Sequence, residues 1–377
     1  MPNQNLNIMR TLRNLFVFLG LILFSLSSNA QRKIQVALLL DTSNSMDGLI
    51  DQTKSQLWSI VNEMASAKAE GRSPQIEIAL YEYGNDNLKA EGNYIRQVMP
   101  LSTDLDKISE ALFALKTHGG SEYCGAVIAK GISDLNWSNS NKDLKLIYIA
   151  GNEPFNQGSV DYKTACSNAI KKGITVNTIF CGRYEEGVSS FWKNGADLAD
   201  GKYFNIDHNL ATVYIETPYD KQINDLNLKL NDTYIGYGSL GREKKQNQET
   251  QDANAAGYSP SNAAERAVSK SSAAYRADDW DLVDAVKNEK VKLGDIKKEE
   301  LPAELKGKNA EEIKTYVEQK ATERTKIQKS IQELNTKRSE YIAAENKKTG
   351  TQNTLHSAMT KAMREKAEKL GFVFPQH

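Results

Sequence analysis

The sequence predicts a doubly wound α/β domain, a mainly parallel sheet with helices on both faces, followed by an α-helical C-terminal region. Two observations carry this. Between Ile34 and Ile206, short apolar runs alternate with amphipathic stretches of helical period, as in parallel strands joined by crossover helices. After Asp207 that alternation stops, and between Lys287 and Gly371 the only aromatic residues are Tyr316 and Tyr341. So few large side chains favour an extended helix over a separate compact core. The 377 residues carry 48 Lys+Arg against 48 Asp+Glu, so no overall charge drives the chain onto nucleic acid or anionic lipid.

The N-terminus reads as an export signal in residues 1–30. Arg10 and Arg13 precede an apolar run, Leu15–Leu26, that ends in Ser27-Ser28-Asn29-Ala30. The run is shorter than the ~20 apolar residues that cross a bilayer. The expected mature chain therefore begins at Gln31, is periplasmic or secreted, and has no stable membrane span. An oxidising compartment bears on Cys124, Cys166 and Cys181. Cys166–Cys181 is the expected pair, with three reduced thiols as the alternative. No Cys-x-x-Cys or neighbouring His pair suggests a thiolate metal cluster.

Residues 31–215 hold the α/β series. Ile34–Leu40 is apolar apart from Gln35, as a central parallel strand covered on both faces requires. Gly48–Ala67 places Leu49, Leu57, Ile60, Val61 and Met64 at helical spacing. Ile76–Tyr83 and Tyr94–Val98 follow as strands, then Asp104–Leu115 and Tyr123–Leu135 as helices. Strand Leu144–Ala150, helix Tyr162–Lys172, strand Thr175–Cys181, helix Ser189–Leu198 and strand Tyr203–Ile206 complete the series.

Residues 216–300 read as a helical or linker segment. Ile223–Leu230 is helical, 241–260 is an exposed linker or solvated helix, and Trp280–Val286 is a short docked helix. Residues 301–377 read as a helical hairpin or coiled coil. Ile313, Val317, Ala321, Ile327, Ile331, Leu334 and Tyr341 form a narrow seam along 311–347. A break at Thr349-Gly350-Thr351 favours a hairpin with 354–370, and an oligomer through the seam is the alternative.

The chemistry concentrates in Asp41-Thr42-Ser43-Asn44-Ser45, directly after the first strand. Ligands of parallel α/β sheets gather beyond the carboxyl ends of the strands. Asp41 offers an anionic oxygen, and Ser43 and Ser45 offer hydroxyls on alternate positions. That half-site suits Mg²⁺ or Mn²⁺, which take hard oxygen ligands. An ion held mainly by hydroxyls stays under-neutralised and can accept a carboxylate from a partner. The alternative is local, with Asp41 and the serines capping the next helix.

The motif, the strand before it and the βα succession from Lys33 to Asp207 resemble the von Willebrand factor A domain, a Rossmann-like fold, with its metal-ion-dependent adhesion site. The resemblance implies a metal set of Asp41, Ser43 and Ser45, with Ser121 after Gly119-Gly120 in place of the usual Thr, and Thr117 close by. The third loop departs from the family pattern. Ile149-Ala150-Gly151-Asn152-Glu153-Pro154 puts Gly151 where the family has Asp, so the site is degenerate there. Asn152, Glu153 and Glu122 are the residues able to compensate.

The resemblance implies an exported, non-enzymatic protein-binding or assembly module whose protein partner offers an acidic side chain to the metal. A second reading is a scaffold with an inactive metal site, its helical tail carrying the interaction. A hydrolase using Ser121 and His118 is the enzyme alternative. Gly120-Ser121-Glu122-Tyr123 is not a Gly-x-Ser-x-Gly elbow, and no third orienting group is identifiable. No Gly-x-Gly-x-x-Gly or phosphate-binding Lys loop follows the first strand.

Overall fold

The computed structural model describes residues 31–210, 212–349 and 355–375. The expected export signal and most of the Thr349-Gly350-Thr351 break lie outside them.

Six strands form one sheet in the order β4-β3-β1-β5-β6-β7. They are β1 (Lys33–Asp41), β3 (Gln75–Tyr83), β4 (Ile95–Ser102), β5 (Leu144–Gly151), β6 (Thr175–Cys181) and β7 (Tyr203–Ile206). All pair in parallel except β4, which runs antiparallel to β3. Because β1 lies between β3 and β5, its residues from Ile34 to Asp41 are buried throughout. The register sets Asp41 beside Tyr83 and Leu40 beside Ala150.

One sheet face packs Ala37, Leu39, Ile147, Ile149 and Phe180 against α3 (Cys124–Asp134), α4 (Tyr162–Lys171) and α6 (Trp192–Leu198). Preceding α6, α5 (Tyr184–Ser189) is a separate helix, so the single helix expected over Ser189–Leu198 is broken. The break falls at Phe191, whose φ of 72° no continuous helix accepts. The other face packs Val36, Leu38, Leu40, Leu146 and Tyr148 against α1 (Asp47–Ser66), α2 (Leu105–Phe113) and α12 (Leu355–Lys369).

This division corrects the cysteine pairing. Cys166 on α4 belongs to the first face and Cys181 to the second, so the sheet separates them. All three cysteines are free and buried.

The C-terminal region is folded onto the sheet rather than appended to it. From Arg32 onward the described chain is one unit. After β7 come α7 (Asp220–Asn231), α8 (Gly241–Tyr258), α9 (Pro260–Lys270), α10 (Leu282–Lys287) and the 40-residue α11 (Ala310–Thr349). The apolar seam of α11 meets α7, α9 and α10, while α12 packs on α1, β5 and β6. The expected hairpin between 311–347 and 354–370 is therefore not the packing observed. A seam reports that a face is buried and does not name its cover.

Within residues 241–260, α8 is a helix with Lys244, Gln248 and Gln251 buried against the rest of the fold, and Pro260 already begins α9. Each finds a polar partner. Lys244 pairs with Asp104, Gln248 Nε2 donates to the Tyr275 hydroxyl at 2.8 Å, and Gln251 Oε1 accepts from the Ser109 hydroxyl at 2.7 Å. After α12, Phe372-Val373 forms a two-residue strand, β8, pairing with β2 (Lys68–Ala69).

Three buried arginines fasten these helices, each holding two carboxylates. Arg266 on α9 binds Asp106 of α2 at 2.6 Å and Asp252 of α8 at 2.9 Å, and stacks over Trp58 of α1. Arg324 on α11 binds Asp281 and Asp284, both at 2.6 Å. Arg338 on α11 binds Asp220 at 2.7 Å and Glu265 at 2.5 Å.

Removing one partner from such a pair leaves the other charge buried and unpaired. Arg266→Ala is expected to lower the unfolding free energy by about 3–5 kcal/mol, read from urea denaturation. Asp252 supplies a pH signature. Burial alone raises its pKa, but Lys270 and Arg266 outweigh burial and hold it well below 3.8. Its stabilisation is thus fully present above that value and lost as pH falls below it. Asp252→Asn should be less stable at neutral pH and lose less further stability than wild type between about pH 4 and pH 2.

Candidate metal centre at the end of the central strand

Asp41 ends β1, and three loops converge on it. Backbone bonds lock them together. Thr42 N–H donates to Tyr83 O, His118 N–H to Thr42 O and Asn44 N–H to Gly119 O, each at 2.9 Å. Asp86 N–H also reaches His118 O at 3.2 Å. Glycines permit the closeness. A Cβ on Gly84 would stand 2.7 Å from Glu122 Cγ and 2.8 Å from Asp41 Oδ1, and one on Gly120 would stand 2.8 Å from Ser43 Cβ.

Within this junction two carboxyl groups face each other. Asp41 and Glu122 are 0% and 4% exposed and interact directly through their side chains. Ser43 N–H donates to Asp41 Oδ1 at 2.7 Å, and the Ser43 hydroxyl acts on both carboxyls. Asp41 Oδ2 and Glu122 Oε2 remain buried with no hydrogen-bond donor. Burial, reinforced by the facing Glu122, raises Asp41 well above the usual carboxylate range. Burial also raises Glu122, and the charge of Glu153 adds to it. Two buried acids with unused oxygens make a site short of positive charge.

Neutral oxygens surround the pair. Ser43 Oγ and Ser45 Oγ lie 3.2 Å apart, and Asn152 Nδ2 donates to Ser45 Oγ at 3.1 Å. Asn152 Oδ1 is buried without a donor. Among the described residues, no group of three or more His, Cys, Asp or Glu side chains is placed to hold a metal. A cation here would rest on two carboxylates plus hydroxyl and amide oxygens, a set that fits Mg²⁺ or Mn²⁺.

The expected residues divide under this geometry. Asp41, Ser43, Ser45 and Asn152 come together. Ser121 is half-buried, and its hydroxyl bonds none of them. Thr117 instead engages the carboxylate of Asp47 on α1. Glu153 is exposed and contributes its backbone, its N–H reaching the Glu122 carboxyl while its side chain accepts from Gln157. Among the described residues no side-chain hydrogen bond joins His118 to Ser121.

The sequence left Glu122 as one of three compensating residues and missed Tyr83 altogether. The Tyr83 hydroxyl donates to Ala150 O at 3.0 Å. A Cβ on Gly151 would stand 2.5 Å from that hydroxyl and 3.0 Å from Asp41 Oδ2. The place where a third-loop side chain would begin is thus filled by tyrosine. The available signal was alternation, since Tyr83 neighbours Asp41 in register and points to the same face as Leu39.

Gly151→Ala should therefore cost about 1–3 kcal/mol, as overpacking does. In a Tyr83→Phe background the cost should fall, because the clashing oxygen is gone. A double-mutant cycle by thermal unfolding measures the difference.

Residues 35–191 match the family model for the von Willebrand factor type A domain. No curated protein matches the chain. Among solved structures it is similar to the conserved hypothetical protein BatB from Bacteroides thetaiotaomicron, with 16% identity over 46% of this chain and 90% of that one, TM-score 0.36. It is similar to the pilus adhesin SpaC from Lactobacillus rhamnosus GG in its open conformation, with 14% identity over 47% of this chain and 28% of that one, TM-score 0.34. A third is proximal thread matrix protein 1 from the mussel byssus, solved with a zinc-occupied MIDAS motif, with 14% identity over 47% of this chain and 42% of that one, TM-score 0.35. The chain spans less than half the length of the latter two. The family match covers less than half of the chain, and the six-stranded, mainly parallel sheet flanked by helices has the fold of the von Willebrand factor type A domain.

Proposed function

We propose that this protein is an exported, non-enzymatic binding or assembly module that captures a protein partner at a divalent cation, Mg²⁺ or Mn²⁺, held at the end of β1. The supporting observation is the buried, mutually facing pair Asp41 and Glu122, each with an oxygen that no donor satisfies. Asp41, Glu122, Ser43 and Ser45 are the direct ligands in this reading, with Asn152 and then Ser121 as outer donors. The cation would supply positive charge and open coordination to an incoming oxygen. The chain's own residues exclude bulk water from the floor of the site and hold the serine and asparagine oxygens at its mouth.

Export rests on the basic-then-apolar pattern of residues 1–30. Among the described residues no helix is long and apolar enough to cross a membrane. The region from 216 onward, packed on α1 and the sheet, positions the binding face and is the surface through which an oligomer would form.

Calorimetric titration of Mg²⁺ and Mn²⁺ into chelator-treated residues 31–377 tests the reading. Wild type should bind at a single site and Asp41→Ala should not. Absence of binding at millimolar metal would overturn it. Stability gives an independent check. Ligand at 100 times its Kd stabilises a protein by about 2.7 kcal/mol, so wild type should gain melting temperature with metal and Asp41→Asn should not. Without metal, Asp41→Asn should melt above wild type, because it removes one of two facing buried acids.

A further inference from the structure

We infer that the site holds its cation already neutralised, and so takes a neutral oxygen from its protein partner, an amide carbonyl or a hydroxyl, in place of a carboxylate. This rests on the metal reading above and refines it. The sequence pattern by itself suggested the opposite, since one aspartate and several hydroxyls leave a divalent ion with net positive charge.

The structure changes that count. Asp41 and Glu122 bring two negative charges to one point, equal and opposite to a divalent cation. Ser43, Ser45 and Asn152 add oxygens without charge. Glu122 comes from the loop before α3, while Tyr83 fills the place beside Gly151 where a third-loop side chain would start. The second carboxylate is therefore internal, and it enters from the opposite loop.

A partner carboxylate would be the third acid on one divalent ion. Like charges repel most where water is scarce, and both internal acids are almost completely buried. The rim adds to the repulsion. Glu153 is exposed beside the site and its charge already acts on Glu122. The Asp86 carboxyl lies against Gly119, where a Cβ would meet its Oδ2. Asn152, which donates to Ser45 at the mouth, is neutral and keeps an unused carbonyl oxygen there. A neutral donor completes the coordination without adding charge, and such charge matching decides between partners.

The test loads full-length mature protein with Mn²⁺ and follows the water bound to the metal by proton relaxation. Acetate, acetamide and ethanol are titrated separately at constant ionic strength, so that the carboxylate, amide and hydroxyl oxygens are compared on one site. In wild type, acetate should displace metal-bound water no better than the better of the two neutral probes, and the order of acetamide and ethanol tells which neutral oxygen is preferred. In Glu122→Gln, which restores net positive charge, Mn²⁺ should bind at least tenfold more weakly and acetate should outcompete both neutral probes at least tenfold.

Acetate binding wild type more tightly than both neutral probes overturns the inference without touching the metal reading, and this arm needs no variant. Glu122→Gln that binds Mn²⁺ and acetate as wild type does also overturns it. Wild type that takes no Mn²⁺ overturns the metal reading and this inference together. Circular dichroism on the variant separates loss of fold from loss of charge, and Glu122→Ala serves if the glutamine variant is unfolded.

Discussion

The loop face at the end of β1 follows from one constraint, a pair of carboxyl groups buried against each other at the end of the central strand. β1 is covered on both faces, so its last residue cannot be hydrated unless the loops above it open. Four backbone hydrogen bonds cross between them and hold them together, and the glycines at 84, 120 and 151 let main chain approach side chain at contact distance. Asp41 and Glu122 are thus held where neither can ionise freely. A fold tolerates that arrangement when a proton or a cation resolves it.

The same unit explains why the helical region is large. A sheet of this kind needs helices on both faces, and α1 and α2 do not finish the second one. The chain completes it only at α12, which brings Met359, Ala362 and Met363 onto Val36, Leu146 and Tyr148. The five helices between β7 and α12 are therefore inserted before the covering element rather than trailing after it. Their fastening is electrostatic as much as apolar. Arg266 alone joins α9 to α2 and α8 while lying over Trp58 of α1. Buried pairs of this kind stabilise little over a well-packed apolar substitute, yet they permit only one register, since a slip strands the charges.

Most of the α/β series was legible because its physics is local. Strands buried on both faces are short apolar runs, crossover helices show one apolar stripe, and the Asp-x-Ser-x-Ser run falls at the strand end where ligands collect. What was not legible depends on partners distant in sequence. The α11 seam announced burial but not α7, α9 and α10 as its cover. Residues 241–260 look solvated because Lys244, Gln248 and Gln251 are polar, and only their partners Asp104, Tyr275 and Ser109 make them core. The cysteine pair failed for a like reason, since spacing does not say which face of a sheet a thiol occupies. In the site, Asp41, Ser43 and Ser45 could be read from spacing, whereas Glu122 needed the loop crossing and Tyr83 the register with β1.

The substitution at Gly151 then bears on whether the site is decayed or rebuilt. A site that had merely lost a ligand would leave one carboxylate beside a gap, and removing or pairing the remaining acid would relieve the strain. Here the gap is closed by the Tyr83 hydroxyl, bonded to Ala150 O, and a second acid reaches the same point from the α3 side. Burying Glu122 against Asp41 works against stability, so packing alone gives no reason for it. Groups held at such a cost are found where a ligand returns the energy, and perturbed acids in a converging set of oxygens are a signature of those places. The arrangement therefore suits the proposed cation site with a second internal carboxylate, and on that proposal the internal charge, rather than the fold, selects the partner oxygen.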